Sequence, residues 1–71
     1  MRRGEAVALL KELSAEHLIL PSWVLIEQRK PDSYQLCVKG DYDRRDILDF
    51  LQKRTLNFEE DTRKGLCIFK P

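Results

Sequence analysis

Apolar residues along this chain fall into two helical stripes and two pairs of alternating runs. Over residues 4–13, GEAVALLKEL, positions Ala6, Leu9, Leu10 and Leu13 recur at three-and-four spacing, and Val7 widens the stripe. The spacing predicts a helix, with Glu5 in its first turn and Lys11 near its last, matching the macrodipole. Ser14 is placed to end it or to cap a short turn through His17. Leu18-Ile19-Leu20 is apolar but stopped by Pro21, which predicts a packed loop or a short strand.

Residues 22–29 and 33–39 predict two strands. Val24 and Ile26 alternate with Trp23 and Leu25; Tyr34, Leu36 and Val38 alternate with Gln35, Cys37 and Lys39. Lys30-Pro31-Asp32-Ser33 supplies the turn, because proline fixes φ and Asp or Ser bonds to nearby backbone. A second helix is expected over residues 44–54, with Asp43 as its cap, Asp46 three residues on, and Ile47, Leu48, Phe50 and Leu51 facing inward. Arg54 can add its aliphatic stem to that side. The tail, residues 55–70, predicts another hairpin: Leu56 and Phe58 alternate in one arm, Leu66 and Ile68 in the other. Gly65 stands where positive φ is needed.

The order helix, hairpin, helix, hairpin predicts a two-layer α+β domain: an antiparallel sheet of about four strands with two helices on one face. At 71 residues the chain makes a single small domain with a modest core. The halves echo each other in architecture without a shared residue pattern. Val24, Ile26, Leu36, Val38, Phe58 and Ile68 form the expected inward set, with Tyr34, Leu56 and Leu66 beside them.

That phase turns Trp23, Leu25, Cys37, Cys67 and Phe69 outward, among Gln35 and Lys39. A single-layer sheet normally gives water a polar outer face, so five apolar side chains there imply a cover. Two covers stand open: a protein partner or second copy, or the chain's own Leu18-Ile19-Leu20. Trp23 likewise reads as a binding anchor or as a side chain closing the end of the sheet.

Composition removes several classes. Hydrophobic residues make up 42% and charged residues 35%, too apolar for a disordered tail. Thirteen Lys and Arg against twelve Asp and Glu give a net charge of +1, so any nucleic-acid contact has to come from local patches. Arg29-Lys30 and Arg63-Lys64 are expected at the two hairpin tips, and Arg44-Arg45 opens the second helix. Tips pointing the same way could straddle a phosphate backbone. This nucleic-acid-binding or regulatory reading is the rival to protein contact. No membrane span is expected, and Glu5, Lys11 and Glu12 interrupt any signal-peptide run after Met1-Arg2-Arg3; a cytoplasmic location is the expectation.

No catalytic constellation stands out, so an enzyme is not the favoured reading and no cofactor is implied. His17 is the sole histidine, and Cys37 and Cys67 are expected as reduced structural thiols, with a disulfide between them as the alternative. Asp41-x-Asp43 opens like a calcium loop, but the needed glycine is missing and Gln52 stands at the closing glutamate position. The segment from Asp43 through Lys70 resembles the helix-and-two-strand end of small sulfur-relay domains of the TusA type. The Cys-Pro pair that such domains carry near an N-terminal helix is absent, so the resemblance transfers no residue and no activity.

Overall fold

The computed structural model describes residues 1–70. Helix α1 (Arg3–Ala15) and helix α2 (Arg44–Lys53) each precede a hairpin, β1 (Val24–Lys30) with β2 (Ser33–Val38) and β3 (Asn57–Asp61) with β4 (Gly65–Phe69). The four strands form one antiparallel sheet in the order β1-β2-β4-β3, with both helices on one face. The expected architecture is therefore the observed one.

Both hairpins are local, and the β2–β4 pairing joins them at the centre. There Leu36 faces Ile68, Cys37 faces Cys67 and Val38 faces Leu66. Those pairings place Leu36-Cys37-Val38 and Leu66-Cys67-Ile68 in equivalent positions across the seam, related by a local two-fold. It is a residue-level echo that the sequence reading missed, because each triplet is too short to stand out.

Leu36, Val38, Leu66 and Ile68 are fully buried beneath the helices with Ala6, Leu13, Ile47 and Leu51, and Leu9 and Phe50 close the same core. The alternation of apolar residues thus set the sheet's phase correctly. Phe58 shares that phase but is 40% exposed, because β3 is an edge strand and only α2 lies near it.

The helix ends show a common device. Glu5 accepts the Arg2 backbone N–H at 3.1 Å, and Asp43 accepts that of Asp46 at 3.2 Å, fixing the two starts. At the other ends, Leu18 N–H reaches Leu13 C=O and His17 N–H reaches Ser14 C=O; Leu56 and Thr55 repeat this on Leu51 and Gln52. These are Schellman motifs, and they put His17 and Thr55 at φ of 60° and 55°. α1 consequently runs past the expected stop at Ser14, and residues 55–56 are helix exit and not strand.

Of the two covers left open, the internal one by Leu18-Ile19-Leu20 is not what forms. After the Schellman turn Ile19 enters the core on the helix side, while Leu20 stays 53% exposed. Pro21–Trp23 is a single 3-10 turn, so β1 begins at Val24 and not at Ser22.

Candidate functional site

The outer sheet face is covered by long side chains reaching across it. Arg29 on edge strand β1 lies with its guanidinium 3.8 Å from the Phe69 ring centroid, donates to Gln35 Oε1 at 3.2 Å, and meets Glu59 Oε1 at 3.4 Å. It therefore spans β2 and β4 to touch the opposite edge strand. Arginine suits this place because a flat, weakly hydrated cation stacks on an aromatic face while its fork bonds sideways. A second strap, Glu27 to Lys64 at 3.2 Å, reaches from β1 over β2 to the turn that leads into β4.

Beneath the straps Cys37 and Cys67 are buried, at 3% and 4% exposure, as free thiols. They stand directly opposite each other in the β2–β4 register. Burial first, and then the neighbouring Cys67 thiol, pushes the Cys37 thiol up to about 12. Cys37 also points toward Glu27, whose carboxylate oxygen lies 3.9 Å from its sulfur.

Of the five outward residues expected to need cover, three already have it: Cys37, Cys67 and half-buried Phe69. Leu25 does not, at 61% exposure. Trp23 is half-buried at the corner of the sheet, packed against Gly40 and forming a wall of two clefts. One, of about 640 Å³, runs between the end of α1 and the start of α2, lined by His17, Leu20, Tyr42 and Asp43 among others. The smaller, of about 170 Å³, opens on the outer face over Cys37, between Leu25 and a rim of Lys39, Arg63 and Lys64.

The six basic candidates do not form one surface. β2 and β4 are antiparallel, so the first hairpin tip and the second lie at opposite ends of the sheet, and the arrangement with both tips on one side is not formed. Arg29 is held by Glu59, Lys64 by Glu27, and Arg44 by Glu60 at 2.6 Å. Lys30, Arg45 and Arg63 are exposed. The acidic group is divided too: Asp43 caps α2 and Asp49 pairs with Lys53 at 3.1 Å. Among the described residues, no three His, Cys, Asp or Glu side chains are grouped to hold a metal ion. No described helix is long and apolar enough to cross a membrane.

The chain matches no family model, and neither the curated proteins nor the solved structures contain a match. Function has to be argued from the surface itself. The residues the sequence reading missed are Leu20, left exposed by the Schellman turn, and Glu27 and Glu59, the carboxylates that hold the straps. The charged alternation along β1 hinted at Glu27, but nothing local connects Arg29 to a residue thirty positions away.

Proposed function

We propose that the chain is a non-enzymatic self-associating module that pairs with a second copy along the open edge of β1. Trp23 and Leu25, with Leu20 beside them, supply the apolar contact. The carrying observation is Leu25, which is 61% exposed on an edge strand next to a half-buried tryptophan.

The backbone supports the same reading. Lys39 N–H donates to Trp23 C=O at 2.9 Å, and alternation along the strand then turns the N–H groups of Ile26 and Gln28 away from β2. Such an unpaired row is a template for another strand. β1 is also self-complementary: antiparallel pairing about Leu25 sets that residue against its own counterpart and Val24 against the second copy's Ile26. The opposite edge, β3, carries Glu59, Glu60 and Asp61, whose like charges resist self-pairing. A shared sheet adds apolar burial that so short a chain lacks.

The rival, a nucleic-acid-binding or regulatory domain acting through basic hairpin tips, draws less support. Its tips are at opposite sheet ends, and three of its six cations already hold carboxylates.

Light scattering over a concentration series tests the proposal. The expected result is a mass rising from one chain toward two, with slowed amide exchange at Ile26 and Gln28, and Leu25→Lys staying at one chain. A single-chain mass into the high-micromolar range, with both amides exchanging freely, overturns it.

A further inference from the structure

The geometry points to a second site, which borders the β1 contact at Trp23 and Leu25: Cys37 and Cys67 form a reversible cross-strand dithiol that a small anionic disulfide oxidises through the cleft over Cys37.

Three observations carry this. The first is register. The Lys39-to-Trp23 bond makes odd-numbered residues of β2 face β1, so its even-numbered residues bond toward β4. Tyr34 N–H agrees, pointing to that side and donating to Met1 C=O at 2.7 Å. Cys37 and Cys67 are thus a non-hydrogen-bonded pair, where α-carbons stand about 4.5 Å apart. Disulfides span roughly 4.4–6.8 Å between α-carbons, so the bond forms with little backbone movement. Register neighbours project to the same face, so the two buried thiols lie side by side on the outer side of the sheet.

The second is access. The cleft of about 170 Å³ is lined by Cys37 and not by Cys67. Cys37 is therefore the thiol that an incoming molecule meets, and Cys67 is the one behind it.

The third is charge. Lys39, Arg63 and Lys64 rim that cleft against the single carboxylate of Glu27, itself engaged by Lys64. A disulfide of net negative charge is drawn in, whereas one of net positive charge is repelled. Among common cellular disulfides, glutathione disulfide has that anionic character.

The step balances as ordinary thiol–disulfide exchange. Cys37 sulfur, deprotonated as the strap opens, attacks one sulfur of the small disulfide and displaces one small thiolate. Cys67 sulfur then attacks the Cys37 sulfur of the mixed disulfide and releases the second. Two electrons pass from the protein thiols to the small disulfide, and the two protons leave on the released thiols. The buried, proton-holding Cys37 keeps the first attack slow, which makes strap opening the gate.

Intact-mass analysis of the folded protein with glutathione disulfide, and separately with cystamine, tests this. Each rate is taken relative to that of the urea-unfolded chain. The wild type is expected to lose two hydrogens without a lasting adduct, and glutathione disulfide to be favoured over cystamine several-fold at low salt. Cys67→Ser is expected to accumulate one glutathione adduct on Cys37, and Cys37→Ser to react at least tenfold more slowly. Trp23 emission verifies that each variant is folded. Oxidation of the wild type only in urea overturns the inference. So does equal labelling of folded Cys37→Ser and Cys67→Ser, or the loss of preference between the two probes.

Discussion

The indole of Trp23 is packed against Gly40 so closely that no β-carbon fits between them. A Cβ built on Gly40 would meet three indole carbons at 2.5–2.8 Å, and the residue holds φ of +125°. Gly40→Ala therefore meets two penalties at once, backbone strain and displacement of a large side chain. It is expected to cost roughly 2 kcal/mol or more. Denaturant unfolding checks the loss, and a red shift of the single tryptophan's emission checks its cause. Unchanged emission with a loss below about 0.5 kcal/mol, the usual range for surface changes, contradicts the packing.

Thr55 pays for its position at the end of α2. A β-branched residue at φ of 55° is strained by about 1–2 kcal/mol, and its side chain is exposed. Thr55→Gly removes that strain but loosens the unfolded chain, so a net gain of about 0.5–1 kcal/mol is expected. His17→Gly should gain less, since histidine tolerates the left-handed region better. Thermal unfolding of the two variants ranks them, and a destabilised Thr55→Gly contradicts the account.

Arg29 holds its strap through the ring more than through the ion pair. Glu59 is largely exposed, so Glu59→Ala should cost under about 0.5 kcal/mol. Arg29→Ala loses the stacked guanidinium and the bond to Gln35 together, a cost of about 1–2 kcal/mol. Arg29→Lys should recover little of it, because an ammonium neither stacks flat nor forks. A double-mutant cycle with Phe69→Leu measures the ring's share, and zero coupling there contradicts this reading.

The alkaline limb of stability carries the signature of Cys37. Its folded value is raised from 9.0 to about 12, so the native thiol keeps its proton while the unfolded one loses it. The contribution is complete below pH 9 and is lost as the pH climbs from there toward 12. Under reducing conditions, wild type should lose stability more steeply than Cys37→Ser across that window. Parallel curves contradict the burial of the thiol.

Much of the fold was legible because alternation and helical spacing report the same buried face from four strands and two helices. Val24, Ile26, Leu36, Val38, Leu66 and Ile68 all point as their pattern requires. Strand order was not legible, because an apolar alternation says which face is buried and not which strand lies alongside. The cover over the outer face escaped for a related reason. Arg29 and Glu59 are ordinary charged residues in sequence, and only the β1-β2-β4-β3 order brings them within reach. Trp23 was readable as a corner residue but not as the wall of two clefts, since that depends on where Gly40 turns the chain.

The seam between β2 and β4 also dictates the order of events when the chain assembles. Each hairpin closes over a few residues, whereas Leu36 must find Ile68 from far along the chain. Loop-closure entropy makes that encounter the slow one, so the two halves organise early and their docking sets the rate. Substitutions at Leu36 or Leu66 should then retard refolding, while those at the outer edges chiefly hasten unfolding.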